Sequence, residues 1–555
     1  MAIPSLNIGG GKWATKQDKL LAYKQNTGGR YFAINGDTSR NSTATFTNQN
    51  GLIDSVGNNV ARVDFQDDVK GSLLLEPQST NLITQSESFG NSYWTKSRAS
   101  IEGDPSTAGV EEVVNGDFAT DTDWTKGTGW AISGGVASCD GTNTASIDQV
   151  ISSLELNKNY LISFDISNYI SGTITTYLPF GVPNLGSFSG DNTYTVQVNV
   201  STLATKNIYF KSNSFIGSID NVSVKEVQGF ASPSLDSPTG AFKLVEDTST
   251  GSHVLSSSSA VVPNGSDVTY SVFAKANERD FMLIWDSASN RGYSFDLANG
   301  TTGVPIVSGA VPKIETYPNG WYKCSIISTV PSTTARMSIY TMKSISLYSY
   351  QGDGVSGIDI FGAQVEALPY STSYIPTSGS SVTRVQDVAN NFGDVNTFNS
   401  SELTIIIDFI HLQELYTSET YIYSLGSDSD NAIWLRKESG TDSLTFRIRT
   451  LGVNQVTLSG LNIVSGLSKM AFKCKNGDIS IWYNGNEINT SLASMTLPLS
   501  NIFNFNLFGS QISNNKVKQV QVYKEALTDS ELEYLTTFRY KTFTGLASGL
   551  NYNII

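Results

Sequence analysis

The stretch YLISFDI (residues 160–166) alternates apolar and polar side chains, and YSVFA (residues 270–274) repeats that alternation further along the chain. A period of two over this length predicts strands with one buried face, as in two packed sheets. Each stretch is followed by a segment that contains glycine and an Ile-Asp pair, GSIDNV (217–222) in the first case and GIDI (357–360) in the second. These paired landmarks predict two copies of one β-sandwich.

The order of the landmarks predicts that one sandwich is inserted in the other. FGNSYWTK (89–96) and FATDTDWTK (118–126) are similar openings, but the strands that belong to the first opening come only after those of the second. We therefore expect residues 112–228 to form a sandwich inserted in an early loop of another, built from residues 86–111 and 229–385. Exposed loops tolerate such insertions. Two sandwiches in plain tandem are the alternative.

The two ends of the chain have different patterns. Residues 386–555 have clear strands such as LTIIIDF (403–409), and TDSE (528–531) is a capping box that predicts a short helix. Residues 1–85 combine short extended runs with a helical signal over residues 12–26. The sequence thus predicts a mostly-β chain with several jelly-roll-type sandwiches and a small N-terminal α+β anchoring segment.

The composition excludes several functional classes. The 555 residues include 36 Lys+Arg against 50 Asp+Glu, a net charge of −14. Nucleic acids and anionic membranes attract clustered Lys and Arg, so we expect no nucleic acid partner. No apolar run reaches the roughly 18 residues of a membrane span, so we expect no membrane insertion. Aromatic residues make up 11% of the chain, which is atypical of disordered proteins.

Cysteine usage and the N-terminus indicate synthesis in a reducing cytoplasm. Cys139, Cys324 and Cys474 fall in three different predicted sandwiches, so no disulfide within a sandwich is expected. The first residues lack the basic and apolar regions of a secretory signal. A surface β-protein made without an export signal fits release by cell lysis.

The chemistry-bearing residues predict that the chain is not an enzyme. His253 and His411 lie far apart, neither has a nucleophile or metal-ligand pattern beside it, and the cysteines lack the paired spacing of zinc sites. Carboxylates remain, since a glycosidase needs two of them at one sugar bond. Glu414, Glu419 and Asp408 are candidates that the sequence alone cannot pair.

Several segments resemble the signature of phage virion appendage proteins. They are TATFTNQNGLI (43–53), NVARVDF (59–65), SLLLEPQSTNL (72–82) and YIPT (374–377) followed by TRVQD (383–387). In that group such segments flank a carbohydrate-binding-module-like sandwich, which here is where residues 89–368 lie. The inserted stretch, from Asn115 to Val224, is similar to a second such module.

The C-terminal sandwich resembles laminin-G/concanavalin-A-like jelly rolls. The matching residues are IWYNG (481–485) and VQVYKEALTDSE (520–531). Jelly-roll likeness alone says little about role, because unrelated functions share the fold.

The resemblance implies a structural component of a phage virion, a fibre, spike or decoration subunit located in the particle. Residues 1–85 would anchor it to capsid or tail proteins, and its copies would form a homo-oligomer. Two other functions remain open. One is a glycan-binding adhesin that recognises host-surface polysaccharide as its main role, and the other is a polysaccharide depolymerase.

Aromatic rings in the C-terminal sandwich are the predicted carbohydrate-binding residues, because such rings stack on the apolar faces of pyranose rings. Trp434, Trp482 and Tyr483 are the best placed. Trp482 and Tyr483 are adjacent on one strand and must point to opposite faces, so at least one is expected in the core.

The resemblance also implies a structural Ca²⁺, which carbohydrate-binding modules of this type often carry near their termini. The matching acids in the inserted sandwich are Asp117 and Asp220, and carboxylate oxygens are ligands that Ca²⁺ prefers. The alternative is that Asp220 only hydrogen-bonds a turn. No other cofactor is implied.

Overall fold

The structure of the protein is a computed structural model. It describes residues 2–103, 108–142, 144–155, 159–178, 185–200, 205–227, 229–394, 396–399, 401–411, 420–441, 443–461, 466–498, 502–505 and 514–538.

Nine strands precede the outer sandwich. They are β1 (Leu6–Gly9), β2 (Thr15–Lys16), β3 (Lys19–Gln25), β4 (Tyr31–Ser39), β5 (Ala44–Thr47), β6 (Ile53–Val56), β7 (Arg62–Asp64), β8 (Ser72–Leu75) and β9 (Ser79–Asn81). The outer sandwich begins with β10 (Thr95–Ser97) and β11 (Ala99–Glu102).

The described residues of the inserted stretch form the next nine strands. They are β12 (Ala108–Glu111), β13 (Thr125–Lys126), β14 (Trp130–Ser133), β15 (Val136–Asp140), β16 (Ser146–Val150), β17 (Asn159–Tyr177), β18 (Ser187–Phe188), β19 (Asn192–Asn199) and β20 (Asn207–Val227).

The outer sandwich then resumes with β21 (Phe242–Glu246), β22 (Thr250–Gly251), β23 (Val254–Ser256), β24 (Ala260–Val261), β25 (Asp267–Ala276), β26 (Phe281–Asp286), β27 (Arg291–Asp296), β28 (Thr301–Val307), β29 (Val311–Thr316), a 3₁₀ turn (Pro318–Gly320), β30 (Trp321–Thr329), β31 (Thr334–Ala335), β32 (Met337–Met342), β33 (Tyr350–Gln351) and β34 (Gly357–Glu366).

The remaining elements are β35 (Val382–Arg384), β36 (Val388–Asn390), β37 (Glu402–His411), β38 (Thr420–Asp428), β39 (Asn431–Lys437), β40 (Leu444–Thr450), β41 (Val453–Leu461), β42 (Gly466–Lys475), β43 (Asp478–Tyr483), β44 (Asn486–Ser491), β45 (Phe503–Asn504), β46 (Asn515–Tyr523) and α1 (Asp529–Thr536).

The largest sheet joins the two ends of the chain. Its order is β36-β4-β3-β1-β46-β37-β42-β43-β44, with β2 on β3 and with β8 and β7 attached to β46. β1 runs antiparallel to β46, with Leu6 opposite Val522. A second sheet, β41-β40-β39-β38-β45, faces it across one apolar core. The N-terminal strands therefore complete the C-terminal sandwich, and their main-chain partners lie in this same chain.

The helix expected over residues 12–26 is wrong, because this stretch forms the β2–β3 hairpin with Asp18 in a left-handed conformation at the turn. Leu20 and Ala22 are buried and Leu21 between them is exposed, which is the period of a strand. The one α-helix in the described part of the chain is α1, where Thr528 and Glu531 form the predicted capping box. No helix among these residues is long and apolar enough to cross a membrane.

The outer sandwich consists of two facing six-stranded sheets, β10-β23-β32-β26-β27-β28 and β11-β21-β34-β25-β30-β29. Their inner faces enclose a separate apolar core. The prediction of a mostly-β chain with several sandwiches is confirmed.

Residues 108–227 form a sheet system and a core of their own. All the strands from β12 to β20 pair with one another, and this core draws its residues from positions 113–224. The two ends of the stretch are neighbours, since Ala108 pairs with Val227 in the β12–β20 ladder. Each of the three main cores contains one of the buried cysteines, Cys139, Cys324 or Cys474.

Buried charges join the outer sandwich to the C-terminal sandwich. We call Arg40, Arg62, Glu76, Arg384 and Asp387 the arginine–carboxylate cluster; their side chains are at most 5% exposed. Arg62 bridges the two acids, with Nη1 2.8 Å from Glu76 and Nη2 hydrogen-bonded to Asp387. Arg40 Nη1 donates to Asp387 at 2.9 Å, and Arg384 Nη2 lies 3.4 Å from Glu76.

Glu76 is held in its ionised form by these partners. Burial alone would raise its pKa, but Arg384 and Arg62 outweigh burial, and Ser373 donates to the carboxylate from both its N–H and its hydroxyl, at 2.7 Å each. The pKa of Glu76 therefore lies well below its ordinary value. A glutamate in the unfolded chain has a pKa of about 4.3. The contribution of Glu76 to stability is therefore fully present above that pH and is lost as the pH falls below it.

Adjacent hydrogen bonds hold together the points where the chain enters and leaves the outer sandwich. Asn81 Nδ2 donates to the carbonyls of Ala363 and Ile375, at 3.1 and 2.8 Å. Thr377 Oγ1 donates to the carbonyl of Ile83 at 2.7 Å. β9 and β35 also pair with each other, so the entering and leaving strands form one ribbon.

Excising residues 112–228 tests the predicted nesting. Paired strands lie about 5 Å apart, so rejoining the flanks spans a short gap, and we expect the shortened chain to keep the cooperative melting of the outer sandwich in scanning calorimetry. A chain that loses this transition would support a tandem arrangement or a shared core.

The substitution Asp387→Ala tests the arginine–carboxylate cluster. It leaves the buried Arg40 without its acidic partner and Arg62 and Arg384 with Glu76 alone, so we expect a loss of about 3–5 kcal/mol in the free energy of unfolding, measured with guanidinium chloride. Asp37→Ala is the matched control, because the Lys19–Asp37 pair is nearly half exposed and its loss should cost under about 1 kcal/mol. Equal effects of the two substitutions would contradict the importance of the cluster.

Candidate functional site

One face of the β10–β28 sheet points away from the core of the outer sandwich. On β26, the core residue Ile284 directly precedes Trp285. On β32, the core residue Ile339 lies between Ser338 and Tyr340. Because successive side chains on a strand point to opposite faces, Trp285, Ser338 and Tyr340 share the outward face.

A glycine on the neighbouring strand supports the indole of Trp285. Gly292 lies opposite Trp285 in the β26–β27 ladder. A Cβ atom at Gly292 would come within 2.4 Å of Trp285 Cε3, so the ring lies directly over the glycine backbone. The indole is half-buried, which leaves part of it accessible beside the strand that supports it.

Two tyrosines extend this ring surface. The Tyr340 ring centroid lies 6.3 Å from that of Trp285, with the ring planes at 56°. Tyr348, from the segment that follows β32, packs edge-on against Tyr340 at 6.1 Å. All three rings are half-buried, so they form a surface patch with a fixed arrangement.

A row of hydroxyl groups lies beside the rings. Ser338 Oγ is 2.7 Å from Ser256 Oγ and 3.0 Å from Ser287 Oγ. Arg336 lies on the same face, two residues before Ser338, and its Nε donates to the Ser257 carbonyl at 2.9 Å. We call the surface formed by Trp285, Tyr340, Tyr348, Ser256, Ser287 and Arg336 the Trp285 face; Ser338 lies beneath it, with 2% of its surface exposed.

The Trp285 face combines the two kinds of contact that a sugar requires. Ring faces pack against the apolar C–H surface of a pyranose, while hydroxyl and guanidinium groups donate to and accept from its hydroxyls. The carboxylates at the ends of β26 and β27 are occupied by turns. Asp286 accepts from the Ala288 N–H at 2.9 Å, and Asp296 accepts from the Asn299 N–H at 3.0 Å. The geometry thus suits binding.

The structure does not bring the predicted sugar-binding rings of the C-terminal sandwich together on one surface. Trp434 lies on β39 with 3% of its surface exposed, and the guanidinium carbon of Arg447 is 5.6 Å from the ring centroid. Trp482 is 8% exposed and packs against Tyr523 and Leu532 in the cluster beneath α1. Tyr483, on the other face of β43, packs against the main core.

Trp434 and Trp482 offer little surface for stacking, and Tyr483 is half-buried. The binding roles of Trp434, Trp482 and Tyr483 stay predictions. The Trp285 face was missed by sequence reasoning. The run FMLIWD (281–286) contained the relevant signal. On a strand, Met282 and Ile284 point to one face and Trp285 points to the other.

The structure describes one of the three carboxylates considered for catalysis. Glu414 and Glu419 lie outside the described residues. Asp408 is half-buried with Lys469 3.7 Å away; burial raises its pKa, and the lysine opposes that rise.

The acids predicted to hold calcium lie near each other. Burial raises the pKa of Asp220, and the neighbouring charges of Asp165 and Asp117 raise it further, against the hydrogen bond from the Asn221 N–H. In the described part of the chain, no three His, Cys, Asp or Glu side chains are grouped so that they could hold a metal ion. A calcium ion at Asp117 and Asp220 stays a prediction.

Comparison with protein-family models found no match, and neither did comparison with curated proteins. Among solved structures, the chain is similar to the CBM40 of Ruminococcus gnavus IT-sialidase, with 16% identity over 26% of this chain and 93% of that one, at a TM-score of 0.22. It is also similar to Trypanosoma rangeli sialidase in complex with the inhibitor DANA, with 10% identity over 96% of this chain and 98% of that one, at a TM-score of 0.21.

A third similar structure is that of the mouse laminin alpha1 chain, domains LG4-5, with 11% identity over 76% of this chain and 95% of that one, at a TM-score of 0.18. TM-scores this low carry no argument about function.

The substitution Asp220→Asn tests the calcium prediction. In EDTA we expect it to raise the melting temperature of the inserted sandwich by roughly 1–3 °C, because it removes repulsion from Asp165 and Asp117. Excess Ca²⁺ should stabilise the unsubstituted chain and not the variant. The control is Asp121→Asn, which changes an exposed acid paired with Lys126. If Ca²⁺ changes the melting temperature of neither the unsubstituted chain nor the variants, the chain binds no calcium ion at this site.

Proposed function

We propose that this chain is a structural subunit of a phage virion that binds polysaccharides of the host surface through the Trp285 face. The single observation that carries the binding role is the arrangement of half-buried rings beside a hydrogen-bonded serine row. The virion role rests on the resemblance of the segments around residues 43–82 and 374–387.

The proposed partners are other virion proteins, further copies of this chain and a host glycan. A shallow surface with three rings gives weak binding at a single site. Display of many copies on a particle converts weak sites into strong attachment, because each further contact forms at high effective concentration. The acidic net charge of −14 fits a glycan partner better than a nucleic acid.

The Trp285 face binds the polysaccharide and does not cleave it. Glycoside hydrolysis needs two carboxylates placed on either side of the bond. The acids that end β26 and β27 instead accept hydrogen bonds from their own turns, through Asp286 with Ser289 and Asp296 with Asn299.

Retention of bacterial envelope polysaccharides on beads that display the full chain tests the binding role. We expect Trp285→Ala to reduce retention at least tenfold, which corresponds to about 1.4 kcal/mol, because it removes the central ring of the surface. Phe32→Ala is the matched control, since Phe32 is 52% exposed and lies on β4, outside the Trp285 face. Unchanged melting temperatures would show that both variants fold.

Retention of a polysaccharide that is equally strong with Trp285→Ala would overturn the assignment to this face. A chain that retains no polysaccharide from any bacterial envelope would overturn the binding role itself.

A further inference from the structure

A cleft of about 480 Å³ lies between the C-terminal sandwich and the outer sandwich. Residues from the N-terminal strands, from β29 and β30, from the segment after β34 and from β46 line it; among them are Thr47, Asp64, Tyr317, Lys323, Thr372 and Lys516. Its size falls within the range of small-ligand sites, which often lie between domains.

Most of the charges in this cleft are paired. Lys516 Nζ lies 2.8 Å from Asp64 and 2.5 Å from Asp67. Lys313 Nζ lies 3.2 Å from Glu315. Burial would raise the pKa of Glu315, but Lys313, Lys323 and Lys516 lower it to about 2, so the carboxylate is ionised at neutral pH.

Lys323 differs from the other two lysines. It is 5% exposed, and its Nζ donates to the Thr372 carbonyl at 2.5 Å and lies 6.0 Å from the centroid of the Phe273 ring. It takes part in no ion pair among the described residues. Burial lowers its pKa, against the charges of Glu315 and Glu366 further away. An ammonium group has three donors, so this buried cation keeps donors for an anion in the cleft.

The rest of the lining suits a hydroxylated ring. The side chain of Asp67 is 46% exposed and that of Glu315 is 25% exposed, so both can accept hydrogen bonds from hydroxyl groups. Tyr317 lines the cleft with its ring edge-on to that of Phe273 at 5.1 Å. A simple anion would use only Lys323, whereas a sugar acid would use the carboxylate acceptors as well.

We propose that this cleft binds an acidic sugar, with the carboxylate of the sugar on Lys323 and its hydroxyls on Glu315 and Asp67. This site is separate from the Trp285 face. It does not depend on the function proposed for that face.

Calorimetric titration of the full chain with D-glucuronate, D-glucose and inorganic phosphate tests the proposal. Glucose keeps the ring and lacks the carboxylate, and phosphate keeps the charge and lacks the ring. We expect glucuronate to bind at least tenfold more tightly than either of the others. Equal affinity for glucose would overturn the role of the carboxylate, and equal affinity for phosphate would overturn the sugar.

Substitutions assign the binding to the cleft. We expect Lys323→Met to weaken glucuronate binding at least tenfold, while Lys16→Met, which changes an exposed lysine on β2, leaves it unchanged. Lys323 forms no ion pair among the described residues, so Lys323→Met leaves no directly paired carboxylate without its partner. Unaltered affinity in a folded Lys323→Met chain would overturn the proposal.

A second variant keeps the test decisive if Lys323→Met does not fold. Glu315→Gln replaces the charged acceptor of the sugar hydroxyls by a neutral one and removes a charge that favours the protonated form of Lys323, so we expect glucuronate to bind roughly threefold more weakly. Unchanged or tighter binding would contradict the proposed pose. Trp285→Ala should leave glucuronate binding intact, and a loss there would place the ligand on the Trp285 face instead of in the cleft.

Discussion

The arginine–carboxylate cluster is the constraint on which the arrangement of the sandwiches depends. It joins Arg62 on β7 and Glu76 just after β8 to Arg384 at the end of β35 and Asp387 just before β36, which lie more than 300 positions away along the chain. Buried ion pairs add little net stability compared with apolar packing, but a buried charge without its partner is strongly destabilising. The cluster therefore fixes which segments meet. It holds the outer sandwich and the C-terminal sandwich on the two sides of the cleft that Lys323 lines.

The same constraint gives a physical meaning to the segments that resemble phage appendage proteins. Arg62 lies in NVARVDF, Glu76 and Asn81 in SLLLEPQSTNL, and Arg384 and Asp387 in TRVQD. These side chains hold charges or carbonyl groups at the junction and lie away from the Trp285 face. The resemblance thus concerns how an outer sandwich is attached, and the residues of the Trp285 face lie outside these segments.

Local patterns in the sequence predicted much of the fold. The pairing of strands that lie far apart along the chain could not be predicted from such patterns. Alternation in residues 160–166 and the capping box at Thr528 are local signals that the structure confirms. No local sequence pattern indicates that Leu6 pairs with Val522. Residues 1–85 were therefore predicted to be a separate segment. The hairpin at residues 15–25 was mistaken for a helix because its leucines and lysines favour helices, while burial on the sheet follows a period of two.

The candidate site was harder to predict than the fold. Alternation along a strand shows which side chains share a face of the sheet, but it does not show which face another element covers. Trp482 lies beneath α1, whereas Trp285 lies over Gly292 and its ring is only half-buried. The proposed function requires that the chain binds envelope polysaccharide and leaves it intact. The chain length of a retained polysaccharide after prolonged incubation with the full chain, measured by size-exclusion chromatography with light scattering, distinguishes binding from cleavage. We expect a bound polymer of unchanged length, and sustained shortening that disappears when one Asp or Glu is replaced would show that the chain is a depolymerase instead.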